Sequence, residues 1–326
     1  MGKIADTWFA VVNPAAGSGK TLAQWRKAER ILYQHKIKYI FVTPESVSHS
    51  SKLISDAAAK GYRNFIAVGG DGTVHQIIRS LFQYCEKTAD SHDKALAVLK
   101  SFKLAVLPIG SGNDWIRSHN IPKDHKAIIE MIARGEFRYQ DVAKAEILDP
   151  CSGESTSVSY MANVGGYNFD ANVCDVVNFQ KANGIAGKMM YFKAVLKIAF
   201  KQKATRTAVW CDGKKVFDED CYTISIGNGL YSGGGLCQTP AALMDDGLLN
   251  LMVAPRFPMW LLFFHVHKLL TGHTDRIPFL KFFTGAKIEI VPEGQGQLVE
   301  IDGDIIGRAP VRVEIIPRCL NVLHKG

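Results

Sequence analysis

The chain has 326 residues, enough for two domains of ordinary size. Hydrophobic residues make up 47% and charged residues 21%, a balance that excludes a disordered chain. The formal net charge of +8 favours anionic partners such as nucleotides or an acidic membrane surface. The seven cysteines are scattered and lack the Cys-x-x-Cys spacing of a metal or redox site, so we expect a reducing cytoplasm.

The first third of the chain alternates short apolar runs with longer helical patterns. This order is typical of βαβ units, so we predict a doubly wound parallel sheet. The predicted strands are 7–12, 38–42, 65–68 and 103–107, and the predicted helices are 21–35, 48–60 and 74–84.

Three glycine-bearing loops follow predicted strands, at 13–20, 69–73 and 110–114. In a parallel sheet, ligands bind at the carboxyl ends of the strands, where helix amino termini present free N–H groups. Glycine lets the backbone approach a phosphate closely, so three such loops predict a polyphosphate cradle. Each loop taken alone is equally compatible with a tight turn that caps a helix.

Asp71 is the carboxylate of the second glycine loop. A carboxylate beside phosphates is repelled unless a divalent cation lies between them, so we interpret Asp71 as acting through Mg²⁺. Two common phosphate-binding patterns do not match the first loop. The P-loop pattern would need glycine at Pro14, and the Rossmann pattern would need glycine at Leu22.

The second part of the chain, after about residue 140, consists of short β-branched segments separated by Gly, Asp and Pro turns. This texture predicts an antiparallel sandwich. We predict domains at 1–138 and 139–326, with a last strand that could return to the first domain. The predicted strands are 207–210, 221–226, 248–253, 287–291 and 311–316.

Two apolar segments bear on membrane contact. Residues 188–201 place Lys193, Lys197 and Lys201 on one helical stripe, which fits either a basic helix on anionic lipid or a core-facing helix with solvated lysines. Residues 259–267 could border acyl chains, but we expect them to pack in the core. The apolar run 257–270 is too short for a spanning helix, and the amino terminus lacks a signal-peptide pattern.

Five motifs, at 13–17, 69–73, 107–114, 244–248 and 301–304, resemble those of the bacterial lipid kinases that share the diacylglycerol kinase catalytic domain. They occur in that family's order. The Gly-Gly-Asp-Gly-Thr motif alone is similar to that of NAD kinases and phosphofructokinases, and its coupling to Gly-Ser-Gly-Asn-Asp favours lipid kinases. The resemblance implies an α/β plus β fold with two domains. The first is a doubly wound parallel-sheet nucleotide-binding domain like that of phosphofructokinase and NAD kinase, and the second is an antiparallel β-sandwich. The resemblance also implies that the active site lies in the cleft between them.

The resemblance also implies substrate-binding residues. The turn 243–248 matches a Mg²⁺ site made of the Asp246 carboxylate and the backbone carbonyls of Leu243 and Leu248, although a plain Asp-Asp-Gly hairpin turn reads the same way. The residues assigned to ATP are Asn13, Pro14, Ala15, Ala16, Gly17, Thr43, Gly69, Gly70, Asp71, Gly72, Thr73, Ser111, Asn113 and Asp114.

The segment 302–304 is Asp-Gly-Asp, where the family usually has Asp-Gly-Glu. It is similar to the segment that supplies the proton acceptor, so we assign that role to Asp302 or Asp304, and assign to Asp71 with Mg²⁺ the offset of phosphate charge. A second departure is Val-His-Gln at 74–76, where the family more often has an Asn-Glu pair after the threonine. His75 either donates a hydrogen bond to a phosphate or carboxylate or has a structural role.

These features predict a Mg²⁺-dependent lipid kinase, cytoplasmic and peripheral to the inner face of the membrane, that uses ATP to phosphorylate a lipid such as diacylglycerol. NAD kinase and a non-catalytic lipid-binding regulatory protein of the same fold are the alternatives. We expect no nucleic-acid partner, because the basic residues are dispersed and no aromatic platform accompanies them.

Overall fold

The computed structural model describes residues 4–109, 113–183, 198, 202–258 and 260–325. The predictions for Ser111, Met259 and the lysines at 193, 197 and 201 fall outside these ranges. The chain forms two compact units, Met1–Asp141 with Pro317–Gly326 and Val142–Ile316. Among the described residues, no helix combines the length and apolar character needed to cross a membrane.

The first unit is built on a parallel sheet whose strands are connected by helices, so the predicted α/β class is confirmed. The sheet order is β2, β1, β3, β4, followed by the end of the chain's last strand. The elements are β1 (Trp8–Val12), α1 (Thr21–Gln34), β2 (Tyr39–Val42), α2 (Val47–Ala59), β3 (Asn64–Gly69), α3 (Asp71–Thr88), α4 (His92–Lys100), β4 (Lys103–Pro108), α5 (Asp114–Ser118) and α6 (His125–Arg134).

The central strands of this sheet are buried along almost their whole length. All five residues of β1 and five of the six in β3 and in β4 are buried, as expected for a parallel sheet covered on both faces. Trp25 of α1 is fully buried and packs against the rings of Tyr39 and Phe41, each with centroids 5.6 Å away. These contacts pack α1 against β2.

Four helices of this unit, α3, α4, α5 and α6, differ from the predictions. Helix α3 begins at Asp71 and not at Val74, because Gly70 takes an extended backbone as the N-cap and Gly72 enters the first turn. The low helix propensity of glycine had indicated a loop there. Helices α4, α5 and α6 were not predicted. The start of α4 is capped by the Ser91 hydroxyl, which accepts a hydrogen bond from the N–H of Lys94.

The second unit is the predicted antiparallel β-sandwich. In the part of the chain that the structure describes, β7, β8, β9, β12, β14 and β15 pair antiparallel with their neighbours, and their buried side chains form a shared apolar core. The elements are β5 (Phe137–Leu148), β6 (Ser155–Met161), β7 (Val164–Asn168), α7 (Phe169–Ala182), β8 (Thr205–Cys211), β9 (Lys214–Gly227), β10 (Tyr231–Ser232), β11 (Leu236–Cys237), β12 (Leu249–Pro255), α8 (Leu261–Thr271), β13 (Lys281–Gly285), β14 (Lys287–Pro292), β15 (Leu298–Ile301), β16 (Asp304–Arg308) and β17 (Val311–Leu323).

Strand β17 contributes to both units along its length. Its first residues pair antiparallel with β14, where Glu314 lies opposite Lys287. Its last residues pair parallel with β4, where Asn321 lies opposite Lys103. The first unit is thus completed by residues that follow the second unit in the chain.

Candidate functional site

The first and second glycine loops lie next to each other at the carboxyl ends of β1 and β3, and Ile109, which directly follows β4, contacts both. Gly110, Ser111 and Gly112 of the third loop lie outside the described residues. The Asn13 side-chain amide donates a hydrogen bond to the Thr73 hydroxyl (3.2 Å), which joins the first loop to the second. The N–H of Ile109 donates to the carbonyl of Gly69 (2.8 Å), which joins the second loop to the end of β4. A Cβ atom on Gly17 would lie 2.6 Å from Cγ2 of Ile109, so the first loop also packs against the residue that follows β4.

The first loop is held in a compact turn that only glycine can complete. The N–H of Ala15 donates to the side-chain oxygen of Asn13 (3.0 Å), and the Thr21 hydroxyl donates to the carbonyl of Ala16 (2.7 Å). Gly17 has φ of +57° and no room for a side chain. Pro14 and Ala15 are exposed, so the backbone of this turn is accessible to a ligand.

The second loop leads directly into the first turn of α3. The first N–H groups of a helix lack intrahelical acceptors and carry partial positive charge, which favours anions. Gly72 is exposed, and a Cβ atom there would meet nothing within 4 Å. Gly69 has no such space, because a Cβ would overlap the Thr73 hydroxyl. The start of α3 is therefore open to a phosphate on one side and tightly packed on the other.

The Asp71 carboxylate has a structural use that was not predicted. Its two oxygens accept hydrogen bonds from the N–H groups of Asp114 (2.8 Å) and Trp115 (3.2 Å) at the start of α5. Trp115 is fully buried, so this pair of bonds ties the second loop to a fixed point of the fold. Within the described ranges, no group of three or more His, Cys, Asp and Glu side chains is placed to hold a metal ion.

The other predicted residues of the first unit have different surroundings. Asn113 and Asp114 are buried, and Asn113 has a left-handed backbone with φ of 56°. Thr43 is exposed just after β2. His75 is buried in the first turns of α3, which favours the structural role over contact with a phosphate.

In the second unit, the two candidate proton acceptors are in very different environments. The Asp302 carboxylate accepts hydrogen bonds from three consecutive N–H groups, those of residues 162, 163 and 164, at 2.6, 2.9 and 3.1 Å. Asp304, two residues later, is exposed at the start of β16. Asp302 therefore anchors the turn between β15 and β16, and Asp304 presents its carboxylate to solvent.

The backbone of Gly303, between the two aspartates, is held from both sides. Its N–H donates to the Glu300 carboxyl (2.8 Å). Its carbonyl accepts hydrogen bonds from the Asn178 amide (2.8 Å) and the Cys174 thiol (3.0 Å), both on α7. These contacts fix the position from which the Asp304 side chain projects.

Glu300 and Asp170 form a carboxyl pair that the sequence analysis missed. A Cβ on Gly166 would lie 3.0 Å from Oε1 of Glu300 and 3.4 Å from Oδ2 of Asp170, so both groups face the same glycine. The Ser225 hydroxyl and the Gln238 amide donate to Asp170 at 2.6 and 2.9 Å. The sequence did contain one sign of this pair, because Glu300 is a charged residue in the otherwise apolar strand β15.

Burial raises the pKa of Glu300 well above its usual range, and the negative charges of Asp170, Asp302 and Asp304 act in the same direction. The hydrogen bond from Gly303 opposes that rise. Burial also raises the pKa of Asp170, against the hydrogen bonds from its neighbours. The pair is thus able to retain a proton beside the turn that carries Asp304.

The predicted metal turn is an exposed loop that leads into β12. One oxygen of the Asp246 carboxylate accepts the N–H of Leu248 (3.0 Å), as in the hairpin-type turn considered above. Asp246, Leu243 and Leu248 are all exposed. An exposed carboxylate and backbone carbonyls are the hard oxygen ligands that Mg²⁺ prefers, so the residues fit the ion.

Comparison with known protein families gives two consecutive matches. Residues 7–145 match the diacylglycerol kinase catalytic domain, and residues 164–324 match the YegS C-terminal NAD kinase beta sandwich-like domain. Among curated proteins, a diacylglycerol kinase of Mycobacterium tuberculosis is 25% identical over 97% of this chain and 94% of its own length.

Solved structures show the same fold. A diacylglycerol kinase from Bacillus anthracis has a TM-score of 0.69 at 17% identity, over 98% of this chain and 97% of its own. Yeast NADH kinase has a TM-score of 0.54 at 8% identity, over 98% and 84%. Because the two family matches include all five motifs, the chain belongs to the lipid kinases that share the diacylglycerol kinase catalytic domain.

Proposed function

We propose that this lipid kinase transfers the γ-phosphoryl group of ATP to the hydroxyl group of a lipid such as diacylglycerol, in a Mg²⁺-dependent reaction. The observation that carries the proposal is that the first two glycine loops contact each other and that both contact Ile109 after β4, at one edge of the parallel sheet. Such an arrangement suits a chain of phosphates, because several backbone N–H groups can approach it together.

The first unit is proposed to bind ATP. The exposed turn at 13–17 and the start of α3 at 69–73 would hold the phosphates, with Asn113 and Asp114 supporting them from the third loop. Asp71 would act by keeping the second and third loops together, since both of its oxygens bond to the start of α5. Thr43 and Ser111 are proposed as further nucleotide contacts on the family pattern.

The second unit is proposed to supply the proton acceptor and the metal ligands. We assign the acceptor to Asp304, which is exposed, because the Asp302 carboxylate is engaged by three backbone N–H groups. The lipid oxygen attacks the γ-phosphorus and its proton passes to Asp304. The bond from that phosphorus to the bridging oxygen breaks, and ADP leaves.

Asp246, with the carbonyls of Leu243 and Leu248, would hold Mg²⁺. The bound ion would supply positive charge that offsets the charge of the phosphates. The exposed position of this turn leaves room for water molecules to complete the six oxygen ligands that the ion takes.

The test is incubation of the protein with labelled ATP and a panel of lipids in mixed micelles. We expect a phosphorylated lipid, and we expect Asp304→Asn to lower kcat at least about 100-fold, the typical contribution of a positioned base. Asp93→Asn, at an exposed position on α4, is the matched control and should match the wild type.

Two results would contradict the proposed lipid kinase activity, and a third would reassign the proton acceptor. Phosphorylation of NAD without any lipid product would identify an NAD kinase. Nucleotide binding without transfer to any acceptor would identify a non-catalytic protein. Full activity of Asp304→Asn with loss of activity in Asp302→Asn, at unchanged thermal stability, would move the proton acceptor to Asp302.

A further inference from the structure

An apolar surface lies on the exposed side of α8 in the second unit. It consists of Trp260, Phe264, Val266 and Leu270, whose exposed fractions are 60, 66, 37 and 59%. We call these four residues the α8 surface. The rings of Trp260 and Phe264 pack edge to face with centroids 5.9 Å apart, so the two largest side chains form one continuous patch.

The opposite side of α8 is attached to the rest of the unit. The His265 ring packs edge-on against Phe279 (5.4 Å), and Phe279 stacks on Phe257 (4.1 Å). The Lys268 ammonium group donates to the carbonyl of Arg276 (2.8 Å). These contacts settle which side of the helix faces inward and which side carries the α8 surface.

The expectation that residues 259–267 pack in the core is therefore wrong for Trp260 and Phe264. The segment is apolar around the helix, so its apolar composition did not reveal which side chains face solvent. Large aromatic side chains that remain this exposed on a folded protein, as neighbours in one patch, mark an interaction site.

The charge around the α8 surface favours an anionic lipid surface as its partner. Residues 260–274, which contain α8 and the turn after it, include no Asp or Glu, although acidic residues number 31 in the whole chain. Lys268 lies in this stretch, and His267, His273 and the following Arg276 are exposed. Asp275 is the exposed carboxylate next to the stretch, and Arg256 is paired with Asp220 (3.6 Å). Carboxylates would be repelled by anionic lipid, so their absence here complements such a surface.

Trp and Phe are also the residue types that anchor proteins in the interfacial layer of a bilayer, beside basic groups that contact lipid phosphates. We propose that the α8 surface is where this protein docks on an anionic bilayer. The inference deepens the proposed lipid kinase function and rests on it for the reason to visit a membrane.

The docking test needs no catalysis. The full chain is sedimented, without ATP, with vesicles of phosphatidylcholine alone or with about one third phosphatidylglycerol. We expect the wild type to bind the anionic vesicles, less so at high salt. Exchange of both Trp260 and Phe264 for Ser should weaken the partition about tenfold or more, because the buried apolar area drives insertion.

Tyr33→Ser is the matched control, because Tyr33 on α1 is an aromatic residue that is 82% exposed elsewhere. It should bind vesicles as the wild type does. Both variants should keep the wild-type melting temperature, since exposed substitutions alter stability little. The Trp260→Phe variant keeps an aromatic side chain at this position, so it should still bind vesicles. Because it lacks the Trp260 indole, brominated lipid should no longer quench fluorescence from this position.

Equal vesicle binding by the wild type and the double variant would overturn the docking proposal. So would a concentration-dependent dimer that the double variant abolishes, because the surface would then pair two copies. The two proposals can fail separately. If docking is correct but no lipid is phosphorylated, the kinase proposal alone is lost. If docking is wrong, phosphorylation of a short-chain, water-soluble acceptor is unaffected.

Discussion

The carboxyl group of Glu300 is buried in β15, where the surroundings favour its neutral form. Its hydrogen bond from Gly303 does not compensate for burial, so its pKa is well above the usual range. A buried acid avoids the cost of an unpaired charge by retaining its proton. Glu300 thus stays protonated in the folded protein at pH values where the unfolded chain has lost that proton.

This difference predicts how stability depends on pH. The raised pKa stabilises the folded state fully below the ordinary value of 4.5, and that contribution is lost as pH rises through the raised pKa. Gln cannot titrate, so the Glu300→Gln variant should not lose this contribution. Its free energy of unfolding should therefore rise relative to that of the wild type as pH increases. Each unit by which the pKa is raised is worth about 1.4 kcal/mol.

Urea unfolding at a series of pH values measures the effect. Glu154→Gln, at an exposed position, is the matched control and should follow the wild type. Parallel pH profiles for the wild type and Glu300→Gln would contradict the prediction.

The sequence motifs located Asp302 and Asp304 but could not distinguish them. The difference depends on backbone N–H groups about 140 positions earlier in the chain, at residues 162–164. Every residue other than proline carries such a group, so composition gives no sign of it. The partner of Glu300, Asp170, is likewise distant in sequence, and only the fold brings the two carboxyls to Gly166.

At the scale of elements, the first glycine loop depends on close packing against Ile109, which directly follows β4. Gly17 faces Ile109 with no space for a methyl group, and Gly19 in the same turn has open space. Both glycines have positive φ, so a side chain is strained at either position. The two positions differ in their steric surroundings, because a methyl group would meet Ile109 at Gly17 and nothing within 4 Å at Gly19.

Gly17→Ala should therefore lower the free energy of unfolding more than Gly19→Ala does. Overpacking of this kind costs about 1–3 kcal/mol beyond the shared backbone strain, and the displaced loop should bind ATP more weakly. Calorimetric titration with ATP and thermal unfolding of both variants measure the difference. Equal affinity and equal stability would show that the contact with Ile109 does not shape the loop.

The period of apolar residues predicted the existence of most elements of the first unit, because buried strands and amphipathic helices leave that pattern in the sequence. The start of α3 was not predicted. There the backbone of Gly70 and the packing of Thr73 override the poor helix propensity of Gly72. The exposed side of α8 was also hidden, since the apolar residues of this segment are not confined to one face of the helix in the sequence pattern.

At the scale of the whole molecule, each unit depends on a different part of β17. Ile315 is buried in the second unit, and Leu320 is buried in the first. The first unit gains further hydrogen bonds from its final residues, since the N–H of Arg318 donates to Asp141 (2.6 Å) and that of His324 to the carbonyl of Glu136 (3.1 Å).

Substitutions at these two positions should have separate effects. Leu320→Ala should lower the free energy of unfolding by about 2–5 kcal/mol and speed hydrogen exchange of the backbone amides in β3 and β4. Ile315→Ala is the matched control on the same strand and should speed exchange in β8 and β14. Exchange measured by mass spectrometry distinguishes the two patterns, and an identical pattern for both variants would contradict the prediction.

The return of β17 to the first unit has a consequence during synthesis on the ribosome. Residues 317–323 emerge after the entire second unit, so for that interval β4 has no neighbour on one side and is an edge strand. Unpaired strand edges are sites of aggregation in nascent proteins. The first unit thus starts first and finishes last, and a chain truncated before residue 317 would expose its sheet to chaperones and proteases.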